Sequence, residues 1–373
     1  MDNILLSAAL AFLITFFAIP VIIQVAKNKK LFDEPDERKV HKVVIPTLGG
    51  LGIFAGFIIA FLMGVPSNHA GEMQFFVAAS VVIFFLGLKD DILILSASKK
   101  FIGQIIAGII LIKFGGVKIT DMQGFLGIHQ LPEIASIVLS LLTIVVITNS
   151  FNLIDGIDGL AGSLGLLTTL VFGLYFYYSN HLMYSVLAFS FAGSLLSFLI
   201  YNFNPAKIFM GDTGSLLLGM VNSILVIKFI NTAGLPENKI IIDSAPAIGF
   251  AILMVPLFDT LRVFGLRILD RRSPFSPDRN HIHHFLLDLG FSHKKITFIC
   301  LAANAGFIVL AYYLRNLGET IVLAILLFTA LCLTSLVYLL RQRSRPRIKI
   351  IKQEKPVIAS KIFSFASDPV EVD

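Results

Sequence analysis

The chain has 373 residues, of which 56% are hydrophobic and only 14% are charged, with a formal net charge of +6 and a mean hydropathy of +0.85. Soluble domains carry about a quarter charged residues, so this composition excludes a soluble globular protein and indicates a membrane protein. The positive charge does not point to nucleic acid, because the basic residues lie beside apolar stretches, where anionic headgroups and phosphorylated substrates are the expected partners.

Eleven apolar stretches are long enough, or nearly so, to cross about 30 Å of hydrocarbon as helices. They cover 4–26, 48–64, 74–88, 101–114, 134–151, 159–177, 182–201, 213–230, 245–268, 296–314 and 319–340. We therefore predict an all-α polytopic membrane protein with about eleven transmembrane helices. If the N-terminus faces outward, 25 of the 30 Lys and Arg residues fall on the inner side, so the positive-inside rule predicts N-out and C-in.

The chain changes character after the last apolar stretch. Arginines and lysines flank Pro346, and the remainder is short and polar. We predict a membrane domain over 1–340 and a basic, polar cytoplasmic tail over 341–373 that takes no part in chemistry.

Acidic residues interrupt the apolar sequence at five places, and the predicted topology puts all five on the cytoplasmic side. Carboxylates in or beside hydrocarbon are costly, so an acidic cluster there is a candidate functional site. These residues are Asp90, Asp91, Asp155, Asp158, Asp212, Asp259 and Asp278. We predict a cytoplasm-facing cleft that contains carboxylates.

Two of the cytoplasmic segments allow more than one interpretation. The mixed charges around Lys42 suit a solvated loop, but Gly49 and Gly50 at a helix start would also let a phosphate or a ring approach the backbone. The adjacent carboxylates of Asp90 and Asp91 repel each other, so they are either two solvated loop acids or a pair that shares a cation or a proton.

Amides and carboxylates are concentrated between spans five and six, where Asn149, Asn152, Asp155 and Asp158 fall within eleven residues. The two aspartates are three residues apart and would share one face of a helical turn. Helix capping needs only one such residue, so a set of four predicts more than a cap. It predicts a site that binds a base, a ribose or a metal-bound phosphate. Asp212 begins span eight, where it suits Mg²⁺ and could also cap the helix.

The longest cytoplasmic segment is rich in arginine and histidine. Its candidate residues are Asp259, Arg262, Arg279, His281, His283 and His284. Arginine and histidine beside a membrane bind diphosphates, while carboxylates recruit Mg²⁺. Together these residues predict phosphoryl transfer between a soluble nucleotide and a membrane-resident acceptor.

The ordered set of motifs resembles the polyprenyl-phosphate N-acetylhexosamine-1-phosphate transferases over roughly residues 1–340. The matching residues are Arg38-Lys39-x-His41, Pro46-x-x-Gly49-Gly50, Asp90-Asp91, Asn152-x-x-Asp155-Gly156-x-Asp158-Gly159, Phe209-Met210-Gly211-Asp212-x-Gly214-Ser215 and His281-Ile282-His283-His284. The resemblance implies a bacterial inner-membrane enzyme in which undecaprenyl phosphate attacks the β-phosphorus of a UDP-N-acetylhexosamine, most simply UDP-GlcNAc, and UMP leaves. It implies Mg²⁺, with Mn²⁺ as the alternative, and is compatible with a homodimer.

The resemblance also implies roles for individual residues. Asp90, Asp91, Asp155 and Asp158 look catalytic, and Asp212 looks like the metal ligand, with Asp155 as a second candidate. The residues expected to bind substrate are Lys42, Lys100, Asn149, Asn152, Arg262, Arg279, His281, His283 and His284.

Three other classes of protein match the sequence less well. The phospho-MurNAc-pentapeptide transferases typically show three consecutive histidines and ten spans, whereas Ile282 interrupts this run and eleven stretches are present. A transporter or flippase for lipid-linked sugars predicts charges on both faces, whereas the outer loops here carry few. CDP-alcohol phosphotransferases need an arginine soon after their first Asp-Gly, and 155–166 contains none.

Overall fold

The computed structural model describes residues 2–29, 45–236, 238–273 and 279–344. The helices within these ranges are α1 (Asp2–Lys29), α2 (Gly49–Gly64), α3 (Ala70–Ile92), α4 (Ala97–Lys113), α5 (Glu133–Ile154), α6 (Leu160–Tyr178), α7 (Leu182–Asn202), α8 (Gly211–Thr232), α9 (Ala245–Ile252), α10 (Met254–Leu269), α11 (Ile282–Asp288), α12 (His293–Leu314) and α13 (Glu319–Ser344). Each predicted apolar stretch coincides with one helix or, once, with a pair. The predicted domain boundary at residue 340 falls inside α13.

Most of these helices have the length and composition of membrane spans. Eight are long and apolar enough to cross a membrane, namely α1, α3, α5, α6, α7, α8, α12 and α13. Among the shorter ones, α2 has 16 residues and α4 has 17. At about 1.5 Å per residue, 16 residues extend only about 24 Å. The protein is a multi-pass membrane protein, and most of its described residues are helical.

The predicted continuous span over 245–268 is wrong, because the structure breaks it into α9 and α10, bent by 87°. Pro256 explains the break: its ring lacks an N–H and clashes with the carbonyl of Ile252, four residues earlier. Asn304 on α12 satisfies the backbone groups that the break exposes. Its side-chain amide donates to the Ile252 carbonyl at 2.9 Å, and its oxygen accepts from the Val255 N–H at 3.0 Å.

A short β-hairpin is the one exception to the predicted all-α fold among the described residues. Strands β1 (Asp121–Phe125) and β2 (Ile128–Gln130) pair antiparallel. The Leu126 N–H donates to Thr320 Oγ1 at 2.9 Å, at the start of α13. The hairpin therefore lies at the opposite end of the bundle from the start of α8.

Helix α8 forms the centre of the bundle, in contact with α2, α3, α5, α6 and α9. Nearly all of its side chains are buried, whereas outer helices expose large apolar side chains such as Leu6 and Phe17. Outward apolar side chains suit contact with lipid. Packing in the core thus fixes the position of the beginning of α8, which carries Asp212. Several other helices end near this point.

Candidate active site

The end of α3 caps the beginning of α8. Asp91 Oδ1 accepts from the Asp212 N–H at 2.7 Å, and Asp91 Oδ2 accepts from the Thr213 N–H at 3.0 Å and from Thr213 Oγ1 at 2.5 Å. Helix N-termini leave unsatisfied N–H groups and favour negative charge. Asp91, and not Asp212, therefore caps this helix, which leaves the Asp212 carboxylate available to other partners.

Gly211 makes this close contact possible. Its backbone has a φ of +70°, in the left-handed region. A Cβ at this position would lie 2.7 Å from Asp91 Oδ1 and would collide with the Thr47 carbonyl oxygen. Within the Phe209-Met210-Gly211-Asp212 motif, the glycine is thus required by the backbone conformation, in addition to any chemical role of the motif.

Replacing Gly211 with alanine is expected to abolish most of the turnover and to lower stability, because left-handed φ costs an L-residue about 1–2 kcal/mol before any collision. Gly318→Ala is the matched control, since Gly318 also has a positive φ (+91°) but has open space around its Cβ position. Both variants should lose thermal stability, measured as Tm in detergent, and only Gly211→Ala should lose activity. Full activity of Gly211→Ala would contradict the assigned role.

Lys100 joins two of the predicted carboxylates. Its ammonium forms ion pairs with Asp90 and with Asp212 Oδ2, the latter at 2.6 Å. The other oxygen of Asp212 accepts from Asn152 Nδ2 at 2.7 Å, and Asn152 Nδ2 also lies 2.9 Å from Ser215 Oγ. Four predicted residues from α3, α4, α5 and α8 therefore meet in one cluster.

A cavity of about 230 Å³ borders this cluster between α4, α5 and α10. Its lining comprises Leu95, Ala97, Lys100, Phe101, Gln104, Asn149, Asn152, Leu153, Phe264 and Arg267. Asn149 Nδ2 donates to Gln104 Oε1 at 2.7 Å and to the Val145 carbonyl at 2.8 Å. The cavity combines two cations and paired amides with aromatic walls, a lining that suits an anionic group attached to an apolar chain.

The predicted shared helical face of Asp155 and Asp158 is wrong. Helix α5 ends at Ile154, and residues 155–159 form a turn in which Gly159 has a φ of +76°. Asp155 itself has the non-helical angles φ −78° and ψ +56°, so helical spacing no longer relates the two carboxylates, and each has different surroundings. We call residues 155–159 the aspartate turn.

The carboxylate of Asp158 contacts other residues of the protein. Its Oδ2 accepts from Asn204 Nδ2 at 2.9 Å and from the Ala206 N–H at 3.1 Å, and His293 Nδ1 lies 3.2 Å from its Oδ1. Burial alone would raise the pKa of Asp158, but the contacts with His293, Asn204 and Ala206 lower it to about 2. The residue stays ionised and fastens the aspartate turn to α12, so its geometry suits positioning more than proton transfer.

Asp155 has opposite surroundings. No hydrogen bond to its carboxylate is found among the described residues. Withdrawal from water, together with the negative charges of Asp212, Asp91 and Asp158, raises the pKa of Asp155 to about 8. A carboxylate without a donor among other carboxylates is a place where a cation would be stabilised.

The histidine motif is attached to α10 through Asp259. Asp259 Oδ2 lies 2.9 Å from His281 Nδ1, and Asp259 Oδ1 accepts from Arg262 Nη2 at 2.8 Å and from the Ile282 N–H at 3.1 Å. An aspartate bonded to one ring nitrogen fixes the tautomer and the orientation of the imidazole. His281 is therefore held in place, with its other ring nitrogen left for a further partner.

His283 lies against the aspartate turn, and the His284 ring packs on His283 with 4.3 Å between the ring centres. A Cβ at Gly156 would come 3.0 Å from His283 Nε2, so the imidazole packs directly on that glycine. Burial, and then the neighbouring His284, lower the pKa of His283 to about 3. Burial and Arg279 also lower the pKa of His284. Both rings are neutral at physiological pH and can contribute N–H donors, but not positive charge, to a diphosphate.

The structure does not bring Arg279 or the N–H groups of Gly49 and Gly50 into the site. Lys42 lies outside the described residues. Arg279 is exposed, and its charge contributes to lowering the pKa of His284. The N–H groups of Gly49 and Gly50, predicted to face a phosphate or ring, donate instead to the carbonyls of Phe209 and Met210, both at 2.9 Å.

Several site residues were not predicted from the sequence. They are Gln104, Asn204 and His293. Each is a single polar residue outside a motif, although Gln104 follows Lys100 by one helical turn and so shares its face.

The described residues contain no group of three or more His, Cys, Asp or Glu side chains arranged to hold a metal ion. Mg²⁺, however, is usually bound by one or two carboxylates together with waters and substrate phosphates. Asp212, and Asp155 with its unbonded carboxylate, fit a cation of that kind. They do not fit a metal held by the protein alone.

Comparison with known proteins places this geometry in context. The model of glycosyl transferase family 4 matches residues 73–230, a range that begins in α3 and ends in α8. A Bacillus subtilis protein named "Probable undecaprenyl-phosphate N-acetylglucosaminyl 1-phosphate transferase" is 30% identical over 367 residues, which cover 95% of this chain and 98% of that protein. A Mycobacterium tuberculosis decaprenyl-phosphate N-acetylglucosaminephosphotransferase is 34% identical over 314 residues, covering 78% and 77%. An Escherichia coli undecaprenyl-phosphate alpha-N-acetylglucosaminyl 1-phosphate transferase is 29% identical over 312 residues, covering 82% and 83%.

Proposed function

Because the chain belongs to the polyprenyl-phosphate N-acetylhexosamine-1-phosphate transferases of glycosyl transferase family 4, we propose that it transfers N-acetylglucosamine 1-phosphate from UDP-GlcNAc to undecaprenyl phosphate. An oxygen of the acceptor phosphate forms a bond to the β-phosphorus. The bond from that phosphorus to the bridging oxygen breaks, and UMP leaves with the bonding electrons. The product is a lipid-linked sugar diphosphate that starts a surface glycan.

The observation that carries this proposal is the cavity beside the Lys100 cluster. Phe101, Leu153 and Phe264 offer an apolar wall for an isoprenoid chain, and Lys100 and Arg267 offer cations for its phosphate. A phosphate bound there lies next to Asp212. The acceptor thus reaches the carboxylates from the side of the bundle, without leaving the bilayer.

The donor is assigned to the histidine motif, in which His283 packs on Gly156 of the aspartate turn. His281, His283 and His284 supply N–H donors to the sugar diphosphate, and Arg262 fixes their orientation through Asp259. The same turn carries Asp155, whose carboxylate senses the charge of Asp212. This arrangement holds the diphosphate and the acceptor phosphate close together, so that the reaction between them becomes effectively unimolecular.

Asp212 is the proposed ligand of Mg²⁺ or Mn²⁺, with Asp155 as the second. A bound divalent cation offsets the charge that develops on the departing UMP. Lys100 and Asn152 hold Asp212 in a fixed orientation. Asp90 in turn holds Lys100 and accepts from the Leu95 N–H at 2.6 Å.

Asp90 is not needed as a general base in this mechanism. The second ionisation of a phosphate monoester has a pKa of about 6, so the acceptor is largely a dianion at neutral pH. The role proposed for Asp90 is therefore electrostatic: it keeps the Lys100 ammonium between the two carboxylates and the incoming phosphate. Asp91 and Asp158 are proposed to act by positioning α8 and the aspartate turn.

The proposed topology has eleven crossings, with α2, α4 and the α9–α10 pair added to the eight long apolar helices. The N-terminus faces outward, and the site faces the cytoplasm of a bacterial inner membrane. The asymmetry of Lys and Arg between the two sides supports this orientation. UDP-sugars are cytoplasmic metabolites, so a donor site on that side is also chemically consistent.

The direct test measures UMP release by purified protein with undecaprenyl phosphate, Mg²⁺ and either UDP-GlcNAc or UDP-MurNAc-pentapeptide. We expect release with UDP-GlcNAc alone. Release with the pentapeptide donor alone would assign the protein to peptidoglycan synthesis. Release with neither donor from correctly folded protein would overturn the choice of sugar, and a screen of other UDP-N-acetylhexosamines would follow.

A chain that ends at Ser344 is expected to keep turnover within about twofold of the full chain, because the residues beyond lie outside every motif. UMP release by the truncated protein, compared at equal amounts of membrane-inserted chain, checks this. Loss of turnover with normal insertion would show that the basic tail takes part in the reaction.

A further inference from the structure

The last turn of α13 contacts the helix that carries His283 and His284. Arg341 is only 11% exposed, and its Nε and Nη2 lie 2.7 and 2.5 Å from Asp288 Oδ2 on α11. The guanidinium carbon also stands 4.3 Å from the centre of the Phe285 ring. Helix α11 has seven residues, too few to be stable alone, so tertiary contacts must hold it.

Phe285 links this contact to the anchored end of the histidine motif. The Arg262 guanidinium carbon lies 5.4 Å from the same ring, so two arginines pack on one phenylalanine. Arg262 also donates to the Asn280 carbonyl at 2.5 Å and pairs with Asp259, which binds His281. A continuous set of contacts therefore joins the end of α13 to all three histidines.

We propose that Arg341 is a positioning residue for the donor. Through Asp288 and Phe285 it holds α11, and with it His283 and His284, against the aspartate turn. This inference rests on the proposed function, in which the histidines contact the sugar diphosphate. It also moves the functional end of the membrane domain into the last turn of α13, beyond the boundary predicted at residue 340.

The chemistry of the contact separates arginine from other cations. A lysine at 341 would retain an ion pair with Asp288 but would lose the planar stacking on Phe285. Alanine would lose both. Arg343 lies two residues further along the same helix and is exposed, which makes it the matched control for loss of positive charge at this end of the chain.

The experiment compares Arg341→Ala, Arg341→Lys and Arg343→Ala in steady-state kinetics with UDP-GlcNAc and undecaprenyl phosphate. Loss of a charge-assisted contact should raise the KM for UDP-GlcNAc by about tenfold in Arg341→Ala, with the acceptor KM and kcat within about twofold. Arg341→Lys should give an intermediate donor KM, and Arg343→Ala should match the wild type. Hydrogen–deuterium exchange over residues 279–289 should accelerate in Arg341→Ala only.

An unchanged donor KM in Arg341→Ala, or an equal rise in the KM for both substrates, would overturn the proposal. If Arg341→Ala fails to insert, Asp288→Asn replaces it, since this variant retains Arg341 and removes only the ion pair. Asp288→Asn with wild-type donor KM and wild-type exchange would likewise overturn it. Failure of the proposed function is distinguishable, because the wild-type protein would then release no UMP, while the exchange measurement would still report on the contact.

Discussion

Asp212→Asn is expected to reduce UMP release by about a thousandfold, the scale of losing a preorganised electrostatic group. The Asp212 carboxylate contacts both Lys100 and Asn152. Asparagine keeps the size of the side chain but removes the charge that a divalent cation and Lys100 both need. The remaining activity should require much more Mg²⁺ for half-maximal rate.

The measurement is a Mg²⁺ titration of initial rates for the wild type and Asp212→Asn, with Asp243→Asn as a control on an exposed loop aspartate. Stability of the variant should be close to that of the wild type, because Asp91 and not Asp212 caps α8. Residual activity with an unchanged Mg²⁺ response would remove Asp212 from the role of metal ligand.

Much of the fold could be predicted because span-forming helices are encoded locally. Length and hydropathy decide whether a segment can lie in hydrocarbon, and every predicted apolar stretch became helix. The break between α9 and α10 was missed although Pro256 was visible. A proline in a long apolar stretch can be tolerated when neighbours satisfy the freed backbone groups, and Asn304 is distant in sequence.

The sequence predicts which residues belong to the candidate site, but not which role each of them has. Asp90 and Asp91 are adjacent in sequence and look equivalent, yet one binds Lys100 and the other caps α8. Successive helical residues point about 100° apart, so neighbouring carboxylates have different partners. Which partner each one meets depends on the packing of α3 against α4 and α8, and this information is not local.

The residues that were missed share one property, which is that their partners are far away in sequence. His293 contacts Asp158, and Arg341 contacts Asp288, across 135 and 53 positions respectively. A lone histidine at a helix start or a lone arginine near a tail carries no motif, so local pattern cannot distinguish it from a solvated residue. Its role becomes visible only when the helices are packed.

Asp155→Asn is expected to abolish most turnover and, in metal-free protein at high pH, to stabilise the fold. The pKa of Asp155 is raised from 3.8 to about 8, so the folded state favours the protonated carboxyl. The stability that this group contributes is complete below pH 3.8 and is lost as pH rises through about 8. Asparagine resembles the protonated form at every pH, so it avoids the cost of an ionised carboxylate beside Asp212 and Asp91.

The decisive quantity is the difference in free energy of unfolding between Asp155→Asn and the wild type, obtained from thermal unfolding in detergent from pH 5 to about 9, because groups distant from the site titrate equally in both proteins. With EDTA, the free energy of unfolding of the variant should rise relative to that of the wild type by about 1 kcal/mol for each pH unit. This value is reduced from the ideal slope because the Asp155 side chain is partly exposed. Mg²⁺ should cancel this gain by stabilising only the wild type, since a cation bound by the ionised carboxylate removes the repulsion. A pH-independent difference, or equal stabilisation of both proteins by Mg²⁺, would show that Asp155 is neither strained by its neighbours nor a ligand of the cation. The expected result would mean that the ionised carboxylate of Asp155 lowers the stability of the folded protein. That carboxylate is held where a metal-bound diphosphate requires a negative charge.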